Sequence, residues 1–409
     1  MEKKKKTWII FLVIGILLAV MILCCGGGII TALIASGIKN INSSGSSVEE
    51  SDASTLISDI FENSIIGEDK NDDSDQSSIV ELIEYHKIGV SMPTKDLQRW
   101  NQDGANIKML LEQEGYDVDL QYASNDINTQ VTQIENMISS GCNVLVIASI
   151  DGNSLGTVLE QAKQKNIPVI AYDRLIMNSD AVTYYATFDN YMVGTKQGQY
   201  IEERLGLKEG KGPYNLEIFT GDPGDNNARF FYAGAMDVLN PYINNGQLVV
   251  PSGQIDFDTV ATANWASDAA QARMEAIISS NYANGKKLDA VLCSNDSTAF
   301  GVTNALVANN IYPYPIITGQ DCDIANVKNM IQGKQSMSIF KDTRTLAQKT
   351  VEMVDAILKD GTAPTNDTST YNNGVKFVPS YLCEPVFADV NNYRELLIDS
   401  GYYTADQLQ

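Results

Sequence analysis

The chain has 409 residues, 44% of them hydrophobic and 20% charged, with a formal net charge of -22. That length is enough for two domains with their own cores, and the acidic balance leaves no basic footprint for nucleic acid. His86 is the single histidine, so no site that needs two or three imidazoles can be assembled.

Charge and hydropathy are unevenly spread. Lys3, Lys4, Lys5 and Lys6 precede a stretch from 7 to 38 that holds no charged residue and is almost wholly apolar from Trp8 to Leu23. About 20 apolar residues span a bilayer as a helix. The lysines are expected to stay cytoplasmic, which places the rest of the chain outside. Residues 1–39 therefore read as a membrane anchor or signal segment. A lipid attached at Cys24 or Cys25, just before Gly26-Gly27-Gly28, is a second reading, although Leu23 is not the small residue expected there. A cleaved signal peptide is a third. All three export the body. Residues 40–84 are rich in Ser, Asp, Glu and Asn and are predicted to form a disordered, self-repelling acidic tether.

From 85 to 409 short apolar runs alternate with helical stretches. The run at 88–92 leads into Lys95, Arg99 and Trp100, and runs follow at 118–122 and 144–148. The run at 169–172 is followed by Asp173 and Arg174, and the one at 216–219 by Asp222, Asp225, Asn226 and Asn227. Trp265 lies in a loop-like stretch. The run at 290–293 leads to Asn295 and Asp296, that at 316–318 to Gln320 and Asp321, and that at 337–340 to Lys341. Several runs are apolar on both faces, as in a covered parallel sheet. Between them Leu155, Val158, Leu159 and Ala162 keep helical period, as do Ala347, Thr350, Val351, Val354 and Leu358. The fold class is α/β with doubly wound sheets. The pattern weakens after Asp189 and resumes near Tyr214, which marks a boundary between two lobes.

Ligands of open α/β sheets bind beyond the carboxyl ends of the strands. Carboxylates, amides and cations at six such ends suit a neutral polyol, whose hydroxyls both donate and accept. Indole faces suit the C–H faces of a sugar ring. Each residue also has a structural reading. Asp222, Asp225, Asn295 and Asp296 are well placed as helix N-caps, and Asp173 and Arg174 as a local ion pair. Trp100 falls on a stripe with Gly104, Ile107 and Leu111. Trp265 reads equally as core, and Lys95 and Lys341 as surface lysines.

The stretches Gln98-Arg99-Trp100, Ala171-Tyr172-Asp173-Arg174, Phe188-Asp189-Asn190, Asp225-Asn226-Asn227-Ala228, Ser294-Asn295-Asp296 and Gly319-Gln320-Asp321 give the chain a resemblance. It resembles type I periplasmic sugar-binding proteins, the solute receptors of ABC importers. It is most similar to the branch with xylose-binding and multiple-monosaccharide-binding receptors. The resemblance covers nearly all of 86–405. It implies two Rossmann-like lobes joined by a three-segment hinge, lobe 1 at about 85–190 plus 342–372 and lobe 2 at about 191–341 plus the C-terminal segment. It nominates Arg99, Trp100, Asp173, Arg174, Asp225, Asn227, Trp265, Asn295, Asp321 and Lys341 as sugar ligands.

The resemblance further implies a monomeric, non-enzymatic receptor that serves an ABC permease and its ATPase, with no cofactor. The alternating oxygen ligands of a calcium loop are missing, so no metal is expected. The long apolar lead and acidic tether depart from the family pattern. Cys293 and Cys322 sit beside nominated ligands at neighbouring strand ends. Export permits a disulfide there, and spacing leaves its formation open. Cys142 and Cys383 read as buried free thiols. A membrane-tethered sugar sensor is the alternative function. A glycosidase is disfavoured because the acids are scattered, and phosphate loops and Cys-His or Ser-His sets are missing from the sequence.

Overall fold

The computed structural model describes residues 86–409. The expected membrane segment at 1–39, the tether at 40–84 and Cys24 and Cys25 lie outside the described residues. Among the described residues no helix is long and apolar enough to cross a membrane.

The first sheet is built from β1 (Lys87–Met92), β2 (Asp117–Tyr122), β3 (Val144–Ile147), β4 (Val169–Tyr172) and β5 (Val182–Phe188). Helices α1 (Gln98–Gln113), α2 (Ile127–Ser139) and α3 (Gly156–Gln164) connect the first four of these strands. The strands run in the order β2-β1-β3-β4-β5, all parallel. Both faces of the sheet are covered, which is why its strands are apolar runs rather than alternating ones. In β3, Val144 and Val146 join the cluster that holds Trp100, Ile107 and Leu111 of α1. Leu145 and Ile147 point the other way, into the cluster with Ile134, Met137, Val158 and Leu159. Each such fully buried aliphatic side chain stabilises the fold by about 1.5–3 kcal/mol.

After β5 the chain enters α4 (Asn190–Leu205), β6 (Tyr214–Phe219), α5 (Asn226–Asn244) and β7 (Leu248–Val249). Next come α6 (Ser267–Ile277), β8 (Ala290–Cys293), α7 (Asp296–Ala308), β9 (Ile316–Ile317), α8 (Ile324–Ile331) and β10 (Met337–Phe340). The second sheet has the order β7-β6-β8-β9 and is extended by a parallel bridge from Gln320 to Ile339 of β10. Leu216 and Ile218 face one cluster and Phe219 the other, so this sheet too is covered on both sides.

The chain then returns to the first sheet. Helix α9 (Thr343–Asp360), capped by Asp342 and ended by the left-handed Gly361, buries Leu346, Ala347 and Val354 against β1 and β3. Strand β11 (Ser380–Cys383) adds to β5 in parallel. This returning segment thus runs on to Cys383 rather than ending near 372, because Ser380 to Cys383 complete the β5 edge. A last crossing leads to β12 (Val386–Asp389), antiparallel to β10.

The weak pattern between Asp189 and Tyr214 is α4 itself. Its buried face carries Asn190, Gly194, Gln197, Gly198 and Glu202 among only three large apolar residues, Val193, Ile201 and Leu205. The glycines let α4 and α5 approach closely. A Cβ on Gly194 would lie 1.9 Å from the Phe231 carbonyl oxygen.

Candidate functional site

All ten nominated residues line one cavity. Arg99 and Trp100 come from the first turn of α1, and Asp173 and Arg174 follow β4. Asp225 and Asn227 stand at the start of α5, Asn295 at the start of α7. Trp265 precedes α6, Asp321 follows β9, and Lys341 follows β10. Both sheets thus contribute from their carboxyl ends.

The charged groups compensate one another. Arg99 donates from Nη2 to Asp173, from Nε to Asp103 Oδ2 at 3.0 Å, and from Nη1 to Asp321 Oδ1 at 3.3 Å. Lys341 Nζ lies 3.3 Å from Asp321 and 3.7 Å from Asp173. Arg174 Nε stands 2.9 Å from Asp225 Oδ2 without the alignment of a hydrogen bond, so its N–H is left without an acceptor. Its Nη1 donates to the Ser149 and Ile150 carbonyls. Burial alone would raise the Asp173 carboxyl, but Arg99, Lys341 and Arg174 outweigh it and hold the group below the usual carboxylate range. Burial would likewise lower the Arg99 guanidinium, and Asp173, Asp103 and Asp321 hold it well above its ordinary value instead. Burial pushes Asp225 up, with Arg174 offsetting part of the rise. Arg99, Arg174 and Lys341 are thus each matched by a carboxylate.

Two residues serve as cap and site together. Asp225 Oδ1 accepts from the Asn227 amide at 2.9 Å while Oδ2 meets Arg174 and the Trp265 indole, whose Nε1 donates at 3.3 Å. Asn295 Oδ1 caps α7 through the Thr298 amide at 2.9 Å, and its Nδ2 has no partner among the described residues. Asp296 and Asp222 stay structural. Asp296 accepts from Gln335, Ser338 and the Asp323 amide, and Asp222 accepts from the Gly224 and Asn264 amides.

Aromatic groups supply the apolar walls. Trp100 is buried and packs under the guanidinium groups of Arg99 and Arg174, 5.2 and 5.0 Å from its ring. Trp265 meets Phe231 edge to face at 6.2 Å. Gly221 makes room for it, since a Cβ there would fall 1.9 Å from the indole. Three lining residues, Asp173, Trp265 and Asp321, have φ of 58°, 57° and 98° although none is glycine. That conformation costs about 1–3 kcal/mol each and persists where surrounding contacts over-determine it, often at functional sites.

Four further residues line the cavity: Leu97, Phe231, Gln320 and Asp323. Gln320 stood at a strand end in the sequence but was not nominated. Asp323 lies two residues past Asp321 and offered only that proximity. Leu97 and Phe231 carry no polar signal and look like core residues. Lys95 is exposed. Cys142, Cys293, Cys322 and Cys383 are buried free thiols, so Cys293 and Cys322 do not form a bridge. No group of three or more His, Cys, Asp and Glu among the described residues is arranged to hold a metal ion.

Two parallel-sheet units whose strand ends converge on one charge-compensated cleft define a ligand-enclosing α/β protein. The chain belongs to the periplasmic binding protein domain family, matched over residues 88–363, and it has the type I fold of that family. The multiple sugar-binding periplasmic protein SbpA of Azospirillum brasilense is 51% identical over 326 residues, 79% of this chain and 91% of that one. The D-xylose-binding periplasmic protein of Escherichia coli is 37% identical over 323 residues, 79% and 92% of the two chains. Among solved structures, an ABC transporter solute binding protein from Clostridium phytofermentans with bound β-D-glucose is 73% identical. It superposes with a TM-score of 0.78, covering 79% of this chain and 100% of that one. The family read from the strand-end motifs is therefore the family to which the chain belongs.

Proposed function

We propose that the chain is the extracytoplasmic solute receptor of an ABC sugar importer, taking one monosaccharide between its lobes and delivering it to a permease. The observation that carries this reading is the convergence of Arg99, Asp173, Asp225, Asn295, Asp321 and Lys341 from both sheets on one cavity. Its internally paired charges suit an uncharged, polyhydroxylated ligand, and Trp100, Trp265 and Phe231 suit the faces of a pyranose ring. The glucose bound by the 73% identical protein makes D-glucose the lead ligand, and the xylose-binding relatives make D-xylose the second. The chain passes between the sheets three times, after β5, after β10 and after β11. These crossings form the hinge about which the lobes close, and closure is driven by the extra contacts made with sugar in the closed state. The body works as a monomer and catalyses no reaction. The segment at 1–39 anchors it, as a span or through a lipid, and the tether at 40–84 raises its concentration near the permease and its ATPase.

Titration calorimetry with D-glucose, D-xylose, D-galactose, L-arabinose and L-fucose tests the reading. Saturable 1:1 binding of at least one is expected, and heats no larger than dilution for all five defeat it.

A further inference from the structure

Behind Asp173, outside the cavity lining, lies a buried polar cluster with no assigned role. Tyr185 and Thr187 of β5 and Asn190, the first residue of α4, are fully buried. The Asp173 amide still donates to the Ala186 carbonyl at 2.8 Å, as the ladder between β4 and β5 requires. At Asp173 the positive φ then turns the carbonyl out of that ladder. A buried carbonyl without a strand partner must be met in some other way. Here three side chains meet it. Tyr185 donates from its hydroxyl at 2.7 Å, Thr187 from Oγ1 at 3.0 Å, and Asn227 from Nδ2.

The same side chains also meet one another. Asn227 Oδ1 accepts from Asn190 Nδ2 at 3.0 Å and stands 2.9 Å from the Tyr185 hydroxyl. Asn190 Nδ2 also reaches the Tyr185 and Thr187 oxygens at 3.3 Å. A phenol has one proton, so Tyr185 donates to the Asp173 carbonyl or to Asn227, not to both. Both polar atoms of Asn227 are therefore engaged with the protein. Asp173, Tyr185 and Thr187 belong to the first sheet, Asn227 to the helix after β6 of the second, and Asn190 to the first crossing between them. The network reaches from one sheet to the other and ends on the backbone carbonyl of Asp173, whose carboxylate faces Arg99 and Lys341.

We propose that Tyr185, Thr187 and Asn190 are positioning residues for ligand capture, holding Asp173 in its left-handed conformation and tying it to Asn227, so that lobe closure and the setting of the Asp173 carboxylate are one event. This rests on the sugar-receptor reading above. With the hydroxyls removed, the carbonyl keeps only the Asn227 Nδ2 donor, and the backbone relaxes toward ordinary φ, which swings the carboxylate away from Arg99 and Lys341. The lobes also lose a direct link, so a bound sugar escapes faster while the encounter with the open cleft is unchanged.

The test uses the full chain with Tyr185→Phe, Thr187→Val and Thr187→Ser, with D-glucose and D-xylose as probes and rates from stopped-flow tryptophan fluorescence. Tyr185→Phe and Thr187→Val are each expected to raise Kd about tenfold or more through koff, with kon within about twofold of wild type. Thr187→Ser, which keeps the hydroxyl, is expected to stay within about threefold of wild type. Thr187→Val provides the reading should Tyr185→Phe fail to fold. The proposal is overturned if both variants bind like wild type, if the loss falls on kon, or if Thr187→Ser loses as much as Thr187→Val. Wild type that binds neither probe nor any other aldose defeats the sugar-receptor reading as well, whereas normal wild-type binding with unaffected variants defeats this inference alone.

Discussion

Asp173 and Asn295 show how one short side chain sets both backbone and ligand chemistry. Asp173 lies between Arg99 and Lys341, and truncation leaves two buried cations short of a counter-charge, a costly state. Asp173→Ala is therefore expected to weaken sugar binding about a hundredfold or more by calorimetry, an effect of about 2.7 kcal/mol or more. Asn295→Ala removes the α7 cap and the Nδ2 donor together, and a loss of at least about tenfold, some 1.4 kcal/mol, is expected. Normal affinity in either variant would remove that residue from the site. Titration offers a second check. Burial pushes the Asp103 carboxyl up to about 6, against relief from Arg99 and Tyr172. Burial likewise raises Asp225, Glu217, Asp296 and Asp323. These groups bind protons more tightly in the folded chain, so the stability they lend is complete below their unfolded values, 3.8 for the aspartates and 4.5 for Glu217, and is lost as pH rises, for Asp103 through about 6. Carboxyls held low, such as Asp173, are fully ionised across that window. Thermal unfolding without sugar is thus expected to show Tm falling between about pH 4.5 and 7, with Asp103 alone accounting for up to about 3 kcal/mol. A Tm that rises across this window contradicts it.

At the scale of elements, the contact between α4 and α5 sets the site from behind. Helix α5 carries Asp225 and Asn227 at its start, and its position depends on the missing side chain of Gly194, where a Cβ would meet the Phe231 backbone at 1.9 Å. In a free helix alanine would be favoured over glycine by about 0.5–1 kcal/mol. Here the backbones would have to part, at about 1–3 kcal/mol. Gly194→Ala is expected to destabilise the chain in urea unfolding and to weaken sugar binding as α5 shifts. A more stable variant with intact affinity would show that the helices can separate without moving the site. The sequence showed only a weakened pattern at α4, because Asn190, Gly194, Gln197, Gly198 and Glu202 interrupt the apolar positions Val193, Ile201 and Leu205 on its buried face. The eight runs read as strands at 88–340 do become strands, since each is short and rich in apolar residues and several are apolar on both faces. Strand β5 was not read as one, because Thr183 and Tyr184 are only half-buried and interrupt its apolar character.

For the whole molecule, the proposed closure turns on the three crossings between the two sheets. X-ray scattering is expected to give a smaller radius of gyration in saturating D-glucose than without sugar, and no change would argue against closure about these crossings. The described residues, 86–409, belong to one compact unit. A chain begun at Leu82 is accordingly expected to bind sugar with the affinity of the full chain in calorimetry, and a weaker fragment would give the preceding segment a part in binding. The net charge of -22 is a property of the whole chain, whereas ligand choice depends on the groups that line the cavity.

The sequence by itself determined the α/β class and, through its resemblance to a known family, nominated ten residues that line the cavity. The class was legible because covered parallel strands are apolar runs, and most of the ten follow such strands at the ligand end. Only the tertiary structure decided how those residues divide their atoms. It showed Asp225 and Asn295 acting as cap and lining residue together, where the sequence posed the two as alternatives. It showed Leu97 and Phe231 as cavity walls, since an apolar side chain looks the same in a core and in a cleft. It placed Tyr185, Thr187 and Asn190 behind Asp173, and it kept Cys293 and Cys322 as separate thiols. Each of these depends on which segments meet across the fold, and local pattern carries no record of that. The near-absence of histidine, legible from the first, set the terms for all of it: a site made of carboxylates, amides, cations and indoles.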